Sequence, residues 1–238
     1  MNTTHKGWYS RNYLPHFDAP HLMQSITFRL YDALPWEILS QLQCDLESGR
    51  ITDTQRLQTI ETYMDAGHGA CWLRRPDIAE IVQDALQYFD GERYRLLAWC
   101  VMPNHVHVLI ETFASYPMGG VLFSWKSFSA GKANTLLNRQ GRFWQREYFD
   151  RYIRDAIHYD RVVFYIENNP VKAGFVARAG DWRFGSAARR EASAESADKE
   201  RRHLADINKR HLEGGAPTAF LENATWKVAC KAQSGTRR

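Results

Sequence analysis

This 238-residue sequence has no long apolar run and few cysteines. Crossing a bilayer takes about 18 or more consecutive apolar residues. None are present, and the opening residues are polar, without the apolar core of an export signal. The expectation is a protein that neither spans a membrane nor is exported. The four cysteines, Cys44, Cys71, Cys100 and Cys230, stand far apart with no Cys-x-x-Cys pair. That pattern argues against a zinc ribbon or a disulfide framework and fits a reducing compartment. No internal repeat stands out. Hydrophobic residues make up 44% of the chain, enough to bury one proper core.

Charge is scarce in net terms, +4, but unevenly spread. Residues 1–120 hold 9 Lys and Arg against 14 Asp and Glu. Residues 121–190 hold 13 against 6, and residues 191–238 hold 9 against 7. The middle block is therefore the candidate for meeting a phosphate backbone. It interleaves Phe143, Trp144, Tyr148, Phe149 and Tyr152 with its charges. Rings set among arginines suit the stacked bases of single-stranded nucleic acid. A solvated basic face over ordinary core aromatics would have the same composition.

Residues 1–24 read as an irregular arm, since Pro15 and Pro20 disfavour helix. Residues 25–31 alternate and are rich in β-formers, which predicts the first strand. Pro35 opens a helix over 36–47 that Gly49 ends. Thr52 or Asp53 caps a second helix that runs to about Ala66. These two helices, about 36–67, read as an insertion. Pro76 opens a third helix, with Ile78, Ile81, Val82, Ala85, Leu86 and Phe89 at helical spacing. Residues 94–101 and 106–113 read as antiparallel strands around a turn at Pro103-Asn104. Met118-Gly-Gly120 reads as a break before a helix over 121–138, whose stripe is Val121, Trp125, Phe128 and Leu136. A short fourth strand falls within 146–152. The resulting fold class is α+β: a ferredoxin-like βαββαβ palm with an antiparallel sheet and helices on one face. The domain is expected over 25–186, with a polar C-terminal extension over 187–238. In that extension Phe220, Leu221, Trp226 and Val228 could dock back.

The run Met102-Pro-Asn-His-Val-His-Val-Leu-Ile-Glu111 holds the chemistry. A strand puts residues i and i+2 on one face, so His105 and His107 point the same way. Two neutral imidazoles side by side start a divalent-metal site. A His-x-His pair alone is common by chance, so the rest of the chain must supply the third ligand and the reaction. Residues 155–168 supply a second clue. Tyr159, Val162, Val163 and Ile166 form an apolar side of this helix, while Arg154, His158, Arg161, Tyr165 and Asn169 share another face. Pro170 is expected to end the helix there. His16 and His21 are further histidines, in loops.

His105-Val-His107, followed by Tyr165-Ile-Glu-Asn-Asn169-Pro-Val-Lys-Ala-Gly174, resembles the REP-associated tyrosine transposases of the single-tyrosine HUH (His-hydrophobic-His) superfamily. The runs Tyr13-Leu-Pro-His-Phe17 and Phe143-Trp-Gln-Arg-Glu-Tyr-Phe-Asp150 are similar to the same family. The resemblance covers about residues 7–186. It implies that Tyr165 is the nucleophile, and that His105, His107 and Asn169 hold Mg²⁺ or Mn²⁺. The substrate it implies is single-stranded DNA beside REP-type hairpins, cut and rejoined through a 5′-phosphotyrosine. Arg154, Arg161, Lys126, Lys132, Arg146 and Lys172 are then candidate DNA contacts, and His158 and Glu111 candidate supports of the metal ligands. Tyr148, Tyr152 and Tyr159 are competing tyrosines. The expected setting is a bacterial cytoplasm, at the nucleoid, as monomer or homodimer. Two alternatives stay open: a non-catalytic hairpin-binding protein, and a metal-dependent nuclease in which water attacks.

Overall fold

In the computed structural model, residues 4–10 and 15–213 are described. The N-terminal arm is ordered into a ribbon rather than irregular. β1 (Gly7–Ser10) and β2 (Pro15–Asp18) pair antiparallel. Pro15 is the first residue of its strand, a position where the missing N–H is tolerated. Tyr13 lies outside the described residues, as do Phe220, Leu221, Trp226 and Val228.

The main sheet has four strands: β3 (Met23–Arg29), β4 (Tyr94–Val101), β5 (His105–Thr112) and β6 (Phe149–Tyr152). Their order is β4-β5-β3-β6, and every neighbouring pair is antiparallel. This is the split βαβ arrangement of a ferredoxin-like sheet. Alternation sorts β5 into two sides. Val106, Val108 and Ile110 join Ile26, Phe28 and Trp125 in the main core. Helices α3 (Pro76–Gln87) and α4 (Met118–Leu136) also feed that core, including Ile78, Val82, Leu86, Val121 and Leu122. On the other side Leu109, Ala98, Cys100 and Met102 meet Ile166 of a later helix, α5 (Ala156–Lys172).

Three expectations need correction. Met118-Gly-Gly120 does not break the chain; it is the first turn of α4. Glycine costs little there, because first-turn N–H groups have no partner within the helix. Instead, the buried Asp18 carboxylate accepts from the Met118 N–H at 3.1 Å, where a negative charge also suits the helix dipole. The stripe of α4 differs too. Met118, Val121, Leu122, Trp125, Ser129 and Ala133 point inward, while Phe128 and Leu136 are exposed. Phe128 falls off the inward row, and Leu136 sits on the last turn. Finally, α5 runs through Pro170 to Lys172. The proline forfeits one backbone bond. Bonds from Ala173 to Asn169, Gly174 to Val171 and Phe175 to Pro170 close the end regardless. Gly174, at φ +75°, supplies the left-handed turn that stops it.

The two helices read as an insertion, α1 (Trp36–Glu47) and α2 (Asp53–Asp65), bury Leu34, Leu42, Ile60 and Met64 in a small core of their own. Thr52 caps α2 in a reciprocal box with Gln55. The loop after α2 is tied back to the palm. Ala70 N–H donates to Asp32 at 2.8 Å. Gly69 takes φ +83°, and a Cβ there would lie 2.5 Å from the Asp32 carbonyl oxygen, so only glycine fits.

The ribbon is latched as well. Buried His16 on β2 bonds through Nδ1 to Asp150 on β6, and its Nε2 lies 3.4 Å from Glu147. Tyr9 and Tyr148 hydroxyls meet at 2.6 Å. The two distant runs that carried the family likeness are thus joined in space. The chain divides into two units, residues 1–191 and residues 192–238. α6 (Ser186–Glu213) begins in the first and continues into the second. Among the described residues no helix is long and apolar enough to cross a membrane.

Candidate active site

β5 places His105 and His107 on the α5 side of the sheet, both fully buried. Their Nε2 atoms stand 3.0 Å apart. Each ring is held by its other nitrogen. Asn104 Oδ1 is 2.7 Å from His105 Nδ1, and Asn104 Nδ2 donates to the His68 carbonyl at 2.9 Å. The second bond fixes the direction of the amide. His105 Nδ1 must therefore donate, which leaves a lone pair on Nε2 of the neutral ring. His107 Nδ1 is 2.8 Å from Thr27 Oγ1, on the strand position directly opposite.

Burial pushes both imidazoles towards the neutral form. His107 falls to about 3, through desolvation and then Lys172. His105 falls well below its ordinary value through desolvation, followed by His107, Lys172 and Arg29. Neutral rings are what a metal requires.

α5 brings the other two groups. Asn169 is buried, with Nδ2 3.2 Å from His107 Nε2 and Oδ1 without a hydrogen-bond partner. A half-turn of the amide exchanges those atoms and presents the oxygen to the histidines. The Tyr165 ring packs edge-on against His107, centroids 5.3 Å apart. Its hydroxyl is buried and, among the described residues, makes no hydrogen bond of good geometry, although Glu61 and Asn169 lie close enough to act on it. Burial holds the phenol pKa well above its usual value, with the Glu61 and Asp65 carboxylates raising it further and Asn169 opposing. Tyr165 is thus half-buried beside the α5 core rather than on a purely polar face.

Glu61 and Asp65 belong to α2, and nothing in the sequence marked them. Asp65 Oδ1 lies 3.9 Å from His105 Nε2, and Oδ2 accepts from Lys172 Nζ at 2.9 Å. Finding them requires the fold of the α1–α2 pair. Thr27 and Asn104 were equally missed. Strand alternation puts Thr27 on the histidine side, and Asn104 directly precedes the pair, so those two signals were available.

Among the described residues, no group of three or more His, Cys, Asp or Glu could hold a metal ion. A metal site here needs the Asn169 amide. The donor set does fit one. Two ligands about 2.1 Å from an ion and at right angles stand about 3 Å apart, matching the 3.0 Å and 3.2 Å spacings. With the half-turn of the Asn169 amide, its oxygen takes the 3.2 Å position and is the hard donor that Mg²⁺ or Mn²⁺ prefers.

The remaining candidates fall elsewhere. Lys172 is at the site, its Nζ 5.9 Å from the Tyr165 ring centroid. Arg161 is exposed on α5, and Arg154 is exposed two residues before that helix begins. His158 lies seven residues before Tyr165, about 10 Å along the helix axis, and its Nδ1 accepts from Arg154 N–H at 3.3 Å. It caps the start of α5 and does not support the histidine pair. Glu111 shares their side of β5 but stands about 13 Å further along the strand, paired with Arg95 at 3.1 Å. Lys126 spends its ammonium on the carbonyls of Gln145 and Arg146. Lys132 and Arg146 are exposed. Tyr148 is buried against Tyr9, Tyr152 is exposed, and Tyr159 packs in the α5 core.

This geometry has relatives. Residues 73–169 match the family model described as Transposase IS200 like. The chain is also similar to proteins named REP-associated tyrosine transposases. It is 31% identical over 93 residues to the Escherichia coli K12 protein of that name, covering 39% of this chain and 54% of the relative. A Haemophilus influenzae protein with the same family name is 26% identical over 103 residues, covering 39% and 58%. The chain therefore spans little more than half the length of the curated relatives it matches. A solved REP-associated tyrosine transposase bound to a REP hairpin aligns over 77% of this chain and 86% of its own, at 18% identity and TM-score 0.48.

Proposed function

We infer that this chain is a metal-dependent single-stranded DNA transposase that cleaves and rejoins DNA beside REP-type hairpins through a 5′-phosphotyrosine. One observation carries the reading: a buried Tyr165 hydroxyl and a buried Asn169 oxygen, both without hydrogen-bond partners, beside two neutral histidines. Buried polar groups are normally satisfied. Unsatisfied ones gathered at a single place mark a site built for something that arrives later. The names of the curated relatives support the same reaction.

His105, His107 and Asn169 would hold Mg²⁺ or Mn²⁺, while Asp65 stays paired with Lys172 at the rim. A divalent ion bound there would act as a Lewis acid that neutralises the phosphate oxygens. Asn104 and Thr27 keep the two imidazoles oriented, as outer partners of metal-binding histidines do. Tyr165 is the nucleophile. Its oxygen forms a bond to phosphorus as the bond from phosphorus to O3′ breaks, and the departing O3′ takes up a proton. The product is a 5′-phosphotyrosine and a free 3′-hydroxyl. The Glu61 and Asp65 carboxylates, which hold the phenol pKa up, are placed to accept its proton. Lys172, between Asp65 and the Tyr165 ring, balances the charge that develops. The covalent link conserves the bond energy, so a second 3′-hydroxyl can rejoin the strand without a nucleotide cofactor. Arg154, Arg161, Lys132 and Arg146 are exposed cations suited to the DNA backbone. The protein works at the nucleoid of a bacterial cytoplasm, as monomer or homodimer.

The test is a denaturing gel with labelled single-stranded hairpin DNA and Mn²⁺ or EDTA. The expected result is a Mn²⁺-dependent protein–DNA adduct that Tyr165→Phe lacks. Cleavage without an adduct would support a nuclease in which water attacks. Binding with neither product would support a non-catalytic hairpin-binding protein.

A further inference from the structure

A cavity of about 270 Å³ opens between α1, α2 and the start of β6. Its walls include Trp36, Leu39, Ile60 and Phe149, and its polar groups include Arg29 and Glu147. Arg29 is the unusual member. It is 4% exposed, yet among the described residues its guanidinium has no ion-pair partner. Its contact is the Phe149 ring, 5.6 Å from the guanidinium carbon. A buried charge left without a partner is costly, and planar guanidinium is built for two parallel hydrogen bonds. Glu147 lines the same cavity and acts on Arg29 through its charge, but the two do not come within ion-pair distance. The hydrogen bond found for Glu147 uses one oxygen, towards His16 at 3.4 Å.

The cavity adjoins the active site. Arg29 is the register partner of His105 across the β3–β5 ladder, and directly opposite residues project to the same side. Whatever binds Arg29 therefore lies next to the histidine pair. Trp36, on the first turn of α1, is 64% exposed despite lining the cavity.

Resting on the single-stranded DNA reading above, we propose that this cavity takes one unstacked guanine base of the substrate strand. Guanine presents two acceptors, O6 and N7, on one edge and the N1–H and N2–H donors on the next. Arg29 meets the first edge as a bidentate donor, and Glu147 accepts from the second. Trp36 and Phe149 supply rings for stacking. Adenine sets its N6–H₂ donor beside N7, against the guanidinium, and an acceptor at N1 where the carboxylate needs a donor. A phosphate would suit Arg29 but not a wall that also carries Glu147. The α1–α2 pair thus serves as a base-reading element as well as the source of Glu61 and Asp65.

The experiment measures fluorescence anisotropy of labelled dT 16-mers in which every fourth base is dG, 7-deaza-dG, deoxyinosine, dA or dC. For the unmodified protein, removing N7 weakens binding about tenfold, as expected for a bidentate pair worth about 1–3 kcal/mol. Deoxyinosine, which lacks N2, weakens it by less. Arg29→Gln binds the dG and 7-deaza-dG strands within twofold of each other. Trp36→Ala, at an exposed position, weakens every strand and preserves the ratio. If Arg29→Gln fails to fold, Arg29→Lys keeps the charge and loses the fork, and its ratio also collapses. Equal binding of dG, 7-deaza-dG and dA strands by the unmodified protein overturns the guanine pocket. So does a preserved ratio in the Arg29 variants. Adduct formation at Tyr165 with labelled hairpin DNA and Mn²⁺, run in parallel, separates that failure from failure of the transposase reading, in which no adduct appears.

Discussion

Two buried histidine clusters sit in this protein, and they are built in opposite ways. His16 has a carboxylate on each ring nitrogen, Asp150 on one side and Glu147 on the other. Asp150 in turn accepts from the Phe17 N–H at 3.2 Å. Both ring nitrogens and both Asp150 oxygens are paired, so the cluster works as a latch between the ribbon and β6. His105 and His107 instead face each other, Nε2 to Nε2, beside an amide oxygen and a phenol that have no hydrogen-bond partner. Burial alone does not mark a functional histidine. Incomplete pairing of neighbouring groups does, because buried polar atoms are usually satisfied and the other open atoms, on Gln24, Arg93, Glu111 and Asn134, do not adjoin the histidine pair.

The comparison breaks most sharply at Tyr165. Tyr165→Phe should remove the DNA adduct entirely on a denaturing gel, while hairpin affinity stays within about twofold. The variant also removes a buried, unpaired hydroxyl, so its stability should not fall. Removing one partner of the saturated cluster should do the reverse, with large losses in stability and no selective loss of chemistry.

Acid should act on the His105–His107 pair. His107 has a folded pKa of about 3, against 6.5 for an ordinary imidazole, and His105 is shifted the same way. Between those values the unfolded chain binds more protons than the folded one, so stability rises with pH. It is fully present above about pH 6.5 and is lost as pH falls towards 3. The His107 contribution is up to about 5 kcal/mol at 1.36 kcal/mol per unit. Urea unfolding at pH 7, 5 and 4 should show the decline, and His107→Gln should flatten it. A slope unchanged in that variant would place the acid sensitivity elsewhere.

His16→Ala comes next. It leaves the Asp150 carboxylate, with a side chain 2% exposed, to the Phe17 amide and Gln24. Breaking a buried pair in this way costs about 3 kcal/mol, readable as a lower urea midpoint. Adduct formation per folded molecule should persist, since no His16 contact reaches the histidine pair.

Much of the palm was legible because its periodicities are strong. Residues 94–101 form a nearly continuous apolar run bounded by Gly91 and Pro103, and the predicted strand and β4 coincide. Val106, Val108 and Ile110 against His105 and His107 announced a sheet with two unlike sides. Asp155 was recognisable as the start of α5, and its side chain does accept from the His158 N–H at 2.7 Å. What was not legible depends on contacts between distant segments. Met118-Gly-Gly120 reads as a break until Asp18 is seen capping it. Pro170 reads as a stop until the bonds around it are traced. Charge counting singled out Arg154, Arg161 and Lys126 for their sign, but sign does not say where a side chain ends. Lys126 ends on two carbonyls, while Lys172, less conspicuous in sequence, ends beside the tyrosine. Glu61 and Asp65 sat in what read as an insertion, and no local pattern distinguishes them from solvated helix carboxylates.

The smallest expected effect tests the outer partners of the histidine pair. Asn104 fixes His105 because its own amide is fixed by the His68 carbonyl. Asn104→Ala removes the acceptor from Nδ1 and allows the proton to move to Nε2, the nitrogen that faces His107. Losses of this kind typically weaken metal affinity about 10–100-fold. Titration calorimetry with Mn²⁺ should show such a drop, with the urea midpoint nearly unchanged. Thr27→Val should act on His107 in the same direction but less, since a hydroxyl can either donate or accept and so constrains the tautomer more loosely. Equal Mn²⁺ affinity in Asn104→Ala and the unmodified protein would mean that His105 needs no outer partner. The contrast between the unfinished and the saturated histidine cluster would then rest on Tyr165 and Asn169 alone.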